Sequence, residues 1–225
     1  MYYQNLTYPL GRNSPVHIGL KKPVIKPNYQ IIKGDSYNTS IIIIENHSGT
    51  HIDAPGHFIE GAKKIMEYSA NELIFQNPVI MEIIKNERDL ITISDIQNQN
   101  LKGYDCILFK TGFCRFREED VDKYLKLNPG ISHGTIAYIR EEFPKIRCLA
   151  IDSISISPYG DSENAIKSHI TAFKDKASFG EPLLLIEDLD LNNISSEDII
   201  NKLIVCPWQL EDVDSAPCTV IAEII

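Results

Sequence analysis

Short apolar runs separated by turn residues set the rhythm of the chain, and most of them read as strands. Residues 40–45 hold four consecutive isoleucines ending in polar residues, a β-branched run that predicts a buried strand. Residues 78–84 predict a second strand, residues 106–110, 147–151 and 183–186 three more, and residues 218–225 a closing one. Helical candidates lie between them. Ser94 opens a short one with Asp95 in its first turn, and residues 119–126 form another. The clearest covers residues 132–143, where Ser132 can cap, Ile136, Ile139 and Phe143 recur at three- and four-residue steps, and Pro144 stops the helix. Residues 195–203 repeat that design, with Ser195 or Ser196 as cap and Ile199, Ile200 and Leu203 on one face. Pro15, Pro23 and Pro27 make residues 14–32 an irregular, edge-like arm. Strands outnumber helices but alternate with them, so the expected class is α+β. With no repeat or linker, residues 1–225 form one expected domain.

Bulk properties narrow the function classes. A net charge of −9, from 22 basic and 31 acidic residues, argues against an electrostatic nucleic-acid binder. The longest apolar run, Ile41 to Ile44, is far too short to span a membrane. Tyr2, Gln4, Asn5 and Thr7 interrupt any apolar leader at the start. The five cysteines are odd in number and show no C-x-x-C pair, which reads as free thiols, and the expected location is cytoplasmic.

Chemistry concentrates in one place. Three of the six histidines, together with Asp53, fall within residues 47–57, His-Ser-Gly-Thr-His-Ile-Asp-Ala-Pro-Gly-His. A helix would put His47 and His51 on one face, but Gly49, Pro55 and Gly56 oppose it and no glutamate follows His47. The favoured reading continues the strand of residues 41–44 into the cluster through a bulge or turn at Ser48-Gly49. His51 and Asp53, two apart, then share one side, and a Pro55-Gly56 turn returns His57 to the same pocket. Two imidazoles and a carboxylate suit Zn²⁺ or Mn²⁺ and leave positions open for water and substrate. The plainer alternatives are an exposed polar turn, a core histidine satisfied by its neighbours, or a purely structural metal site. The last is disfavoured because no cysteine lies nearby to close a four-ligand shell.

The pattern H-x-G-T-H-x-D-x-P-x-H, carried by His47, Gly49, Thr50, His51, Asp53, Pro55 and His57, resembles the signature of the cyclase-like hydrolases, which include bacterial kynurenine formamidase and isatin hydrolase. The resemblance continues in Leu6-Thr-Tyr-Pro-Leu10, Ile107-Leu-Phe-Lys-Thr-Gly112, Asn128-Pro-Gly-Ile-Ser132, Ala150-Ile-Asp-Ser153, Ile186-Glu-Asp-Leu-Asp-Leu191 and Ser215-Ala-Pro217. It implies a single domain of the swivelling β/β/α fold. It also implies metal ligation by His47, His51 and Asp53, with Asp53 able to bridge two metals, and proton transfer by His57. His169 and Glu187 would complete a second half-site. Seventeen residues separate these two, more than the family pattern expects, so an inserted loop over residues 173–180 is required and Glu181 is the rival. The alternative for His169 is a solvated histidine in a polar loop. The implied cofactor is a divalent metal, Zn²⁺ first and Mn²⁺ second, one or two per chain. The implied reaction is hydrolysis of an N-formyl arylamine or cyclic amide, a small-molecule substrate, by a homodimer or homotetramer. A metal-binding protein without turnover and a lactone or ester hydrolase are the competing readings. Thr50 can orient a ligand or simply suit a strand, Asp152 to Ser155 can line the pocket or form a polar turn, and Trp208 is expected in the core. His17 and His133 lack partners by spacing and are left outside the site.

Overall fold

Apolar runs without alternation belong to strands covered on both faces, and four of them lie side by side. Cys106–Lys110 pairs in parallel with Pro78–Glu82 on one side and Cys148–Ile151 on the other, and Cys148–Ile151 pairs in parallel with Leu184–Glu187. Alternate residues feed two separate cores, because successive side chains leave a strand on opposite faces. Ile107, Phe109, Leu149, Ile151 and Leu185 pack toward the helices His133–Glu142 and Ser162–Phe173. Leu108, Ala150, Leu184 and Ile186 face Leu203, Val205, Val220 and Ala222 from the strands Ile200–Pro207 and Ser215–Ile224. The molecule, seen in a computed structural model describing residues 1–225, is thus a mixed α/β fold built on a nine-stranded sheet.

The three-residue strand His51–Asp53 sits in the middle of this sheet, antiparallel to both neighbours. Its register sets His51 opposite Glu187 and Pro217, and Asp53 opposite Leu185 and Ser215. Two distant parts of the chain are thereby brought to the histidine cluster.

Several expectations are corrected. The isoleucine run does form a strand, Ser40–Ile43, but it is exposed rather than buried. It pairs only with Val24–Pro27 as a two-stranded antiparallel arm, leaving Ile41, Ile42 and Ile43 each half or more exposed. An unbroken apolar run signals burial only where something covers both faces, and here the ribbon has no third strand. Nor does that strand run on into the cluster: a turn intervenes at 46–50. Residues 195–203 are not a helix. Asp198 closes a turn by accepting from the backbone N–H (2.8 Å) and hydroxyl (3.1 Å) of Ser195, and the strand Ile200–Pro207 follows. A register shift between Ile200 and Lys202 places Ile200 and Leu203 on the same buried side, three apart, which mimics helical spacing.

Conversely, the helix Ser162–Phe173 is not legible from hydrophobicity, because its buried stripe is Asn164, Ser168, His169, Ala172 and Phe173. His169 therefore lies on a buried helix face, not in a solvated loop. Capping follows the expected chemistry, with Ser132 accepting from the Thr135 N–H and Asp161 from the Asn164 N–H. The short helix Ile93–Ile96 is capped by Thr92 rather than Ser94. Trp208 is 42% exposed and belongs to no core.

Candidate metal centre

Five segments converge on one cavity of about 250 Å³, whose walls include His47, His51, Asp53, His57, His169 and Glu187. Gly49 makes the convergence possible. It takes φ +67°, a left-handed conformation that residues with a side chain rarely adopt, and a Cβ there would press on the tip of Leu10 at 2.9 Å. The turn it permits returns the chain into the strand that buries His51 and Asp53.

Each side chain is held in a definite way. His51 Nδ1 lies 2.8 Å from the Gly49 carbonyl and donates its proton there. Its Nε2 lone pair then faces Asp53 Oδ1 at 3.5 Å and Glu187 Oε2 at 3.4 Å. His169 follows the same logic: Nδ1 donates to the Ala165 carbonyl at 2.7 Å, leaving Nε2 turned toward Glu187 Oε1 at 3.9 Å. Its ring stacks on Phe58 at 4.4 Å between centroids. Glu187 is oriented by the Ile156 N–H (2.7 Å) and the Ser155 hydroxyl (3.1 Å), both donating to Oε1. Asp53 Oδ1 is buried with no hydrogen-bond partner, although His47 Nδ1 approaches to 3.0 Å without the alignment of a hydrogen bond.

A lone pair aimed between two carboxylates, beside an orphaned buried carboxylate oxygen, is the arrangement a cation relieves. The donor set of imidazole nitrogens and carboxylate oxygens fits a divalent metal. Two overlapping groups meet the distance requirement, His51, Asp53 and Glu187, and His47, Asp53 and His57, with Asp53 in both.

Electrostatics point the same way. Burial, then the charge of Asp53, pushes the Glu187 carboxyl up to about 7. Burial pulls His47 down, but the hydrogen bond to Asp214 and the close carboxylate of Asp53 outweigh it and raise the imidazole to about 10. Burial alone dominates at His169, lowering it to about 4 and keeping that ring neutral.

The six residues singled out from the sequence all reach this cavity, and Glu181 does not. It lies in a separate cleft with Lys63, Glu72 and Arg147. Two residues escaped sequence reasoning. His17, set aside for want of partners, forms part of the cavity wall and packs edge-on to Tyr159 at 6.4 Å. Asp214 accepts from His47 Nε2 at 3.0 Å, and its Oδ2 lies 2.7 Å from His57 Nδ1. Its only sequence signal is its position one residue before Ser215-Ala-Pro217. Of the segment 152–155, Ser155 lines the cavity, while Asp152 is buried behind it and accepts from the Thr111 and Gly112 backbone N–H groups. Thr50 accepts from the Tyr8 N–H and donates to the Asp188 carbonyl, so it braces backbone.

Fold and site together define a mixed α/β protein with a candidate divalent-metal cavity. The chain belongs to the Cyclase family, described as putative cyclase, whose pattern matches residues 4–158. Its relatives include the kynurenine formamidase of Bacillus cereus strain ATCC 10987, 26% identical over 182 residues that cover 81% of this chain and 78% of that one. The kynurenine formamidase of Bacillus cereus strain ATCC 14579 is 24% identical, over 95% of this chain and 93% of that one. Among solved structures, isatin hydrolase A from Labrenzia aggregata superposes with a TM-score of 0.83 at 18% identity, over 98% of this chain and 93% of that one. A protein described as a potential metal-dependent hydrolase with cyclase activity gives 0.73 at 23% identity, over 98% and 96%.

Proposed function

We propose that this chain is a metal-dependent amidohydrolase that uses water to cleave an amide carbon–nitrogen bond in a small molecule, an N-formyl arylamine or a cyclic amide. One observation carries the reading: the Nε2 lone pair of His51 is fixed by the Gly49 carbonyl and aimed at the carboxylates of Asp53 and Glu187. The kynurenine formamidase relatives support the bond type. His47, His51, Asp53, His169 and Glu187 are the proposed ligands, for Zn²⁺ first and Mn²⁺ as the alternative, since both accept imidazole and carboxylate. When bound, such a metal polarises the carbonyl and lowers the pKa of water from about 16 to about 7.

The chain's own residues supply the rest. With Nδ1 committed to Asp214, His57 presents Nε2 as the atom that takes the attacking water's proton and returns it to the leaving nitrogen. Phe58, edge-on to His57 at 4.7 Å and stacked on His169, provides an apolar wall for an aryl group. Hydrolysis of a panel of N-formylanilines and cyclic imides by the metal-loaded protein tests the reaction. Absence of turnover across the panel sinks it.

Metal stoichiometry tests the ligand set separately. Elemental analysis is expected to find two metals per chain, falling to one in His169→Ala. One metal in both proteins removes the second half-site.

The exposed arm supports a dimer. Ile41 and Ile43 project from one side of a two-stranded ribbon, with Ile31 and Ile32 exposed beside it, an apolar surface that a second copy would cover. Sedimentation is expected to show a dimer for the native chain and a monomer for the double variant Ile41→Lys, Ile43→Lys. A native monomer rejects this assembly.

A further inference from the structure

Asp214 is a carboxylate with an unusual set of partners. No lysine or arginine pairs with it. Its Oδ2 meets His57 Nδ1 at 2.7 Å and His47 Nε2 at 3.0 Å, and its Oδ1 accepts from the Asn46 side-chain amide at 2.9 Å. Its backbone is equally fixed, because the Asp214 carbonyl accepts from the Ala54 N–H at 2.9 Å. The side chain is therefore anchored at both ends, from the segment just before His47 and from the strand just before His57.

An ionised carboxylate only accepts hydrogen bonds, so each ring nitrogen facing it must carry a proton. That constraint places a proton on each ring at the nitrogen facing Asp214. On His47 this is Nε2, so Nδ1, 3.0 Å from Asp53 Oδ1, is the nitrogen that a cation lying between the two would take in place of a proton. On His57 the proton sits on Nδ1, which leaves Nε2 with the free lone pair. The two rings lie against one another, 4.1 Å between centroids, so neither can turn over without displacing the other. We propose that Asp214, steadied by Asn46, is a positioning residue that locks the ring orientation and tautomer of His47 and His57 together. One carboxylate thereby presents the metal-facing nitrogen of one imidazole and the proton-accepting nitrogen of its neighbour. The arrangement is the carboxylate–histidine pairing that orients metal ligands, extended here to a second ring.

The inference rests on the amidohydrolase reading, and its test separates the two. Asp214→Asn keeps the shape but can turn an amide N–H toward the rings. At saturating metal we expect kcat on a responsive N-formylaniline to fall ~10–100-fold with KM within about threefold, and metal affinity to weaken by a similar ~10–100-fold. In the zinc-loaded protein, long-range ¹H–¹⁵N spectra of the imidazoles should change from a single His57 tautomer protonated at Nδ1 to a mixture. In the His57→Ala background, Asp214→Asn should cost no further activity beyond about twofold, because non-additivity marks residues that act as one unit. Should Asp214→Asn fail to fold, Asn46→Ala loosens the same carboxylate without touching the strand, and the same shift in the ring spectra is expected. An unchanged His57 tautomer in whichever variant folds overturns the proposal, as does an additive loss in the double variant. If the native protein hydrolyses none of the substrates, the amidohydrolase reading falls while the ring spectra still decide the role of Asp214.

Discussion

His57→Ala is expected to lower kcat by ~10²–10⁴-fold, the usual contribution of a positioned proton-transfer group, while metal content and unfolding temperature stay close to native. The reason is positional. His57 closes the short 3₁₀ turn Pro55–His57, its side chain is 27% exposed, and the one polar contact of that side chain is the 2.7 Å approach of Nδ1 to Asp214 Oδ2. Truncation therefore opens no sizeable void in a packed core and strands no deeply buried partner. The competing role is ligation, since His47, Asp53 and His57 also lie close enough together to share an ion. Elemental analysis of the variant separates the two. Loss of one metal along with activity makes His57 a ligand, whereas full metal with lost turnover makes it the proton carrier. Native-like turnover removes the assigned mechanism altogether.

Arg117→Ala is expected to cost about 3–5 kcal/mol, the penalty for leaving a buried charge without its partner. Arg117 grips Asp188 through two hydrogen bonds, Nε to Oδ1 at 2.7 Å and Nη2 to Oδ2 at 2.8 Å, and Tyr124 donates to the same Oδ1 at 2.6 Å. Asp188 is fully buried and adopts φ +56°, a left-handed conformation that few residues with a side chain take. Its carbonyl receives the Thr50 hydroxyl at 2.6 Å, which ties the network to the turn carrying His51. Because Asp188 directly follows Glu187, the variant should also bind metal more weakly. Urea unfolding measures the first effect and metal titration the second. Lys126→Ala, which breaks an exposed pair with Asp122, is the control and should leave the urea midpoint close to native. Equal losses in the two variants would show that the Arg117 network carries no special weight.

What could be read from the chain depended on how local the signal was. The parallel strands were legible because burial on both faces writes itself as an uninterrupted apolar run, and the helix after Ser132 because cap, period and proline stop agree. The cluster at 47–57 was legible because metal-ligating residue types recur within one turn-rich segment. The isoleucine arm misled, since the run records side-chain type and not what covers it. The helix carrying His169 was hidden by a buried face of Asn, Ser, His and Ala, and the strand after Ile199 by a bulge that imitates helical spacing. Asp214 and His17 were out of reach for a different reason. They acquire meaning only from which strands lie beside His51–Asp53, and pairing across such separations leaves no periodic trace in sequence.

The central placement of the three-residue strand has a consequence for the order of events in synthesis. The cluster 47–57 emerges early, yet its two lateral neighbours, Leu184–Glu187 and Ser215–Ile224, come far later, and the His47–Asp214 contact spans 167 positions. A chain growing from its amino end thus carries four exposed metal-affine side chains with no enclosure until its final strand is made. The walls of the cavity are complete only when the sheet closes, a slow, non-local step. Loss of the terminal strand by proteolysis or premature termination would leave a fragment that still displays the histidine signature but has no shaped coordination cage to discriminate one ion from another.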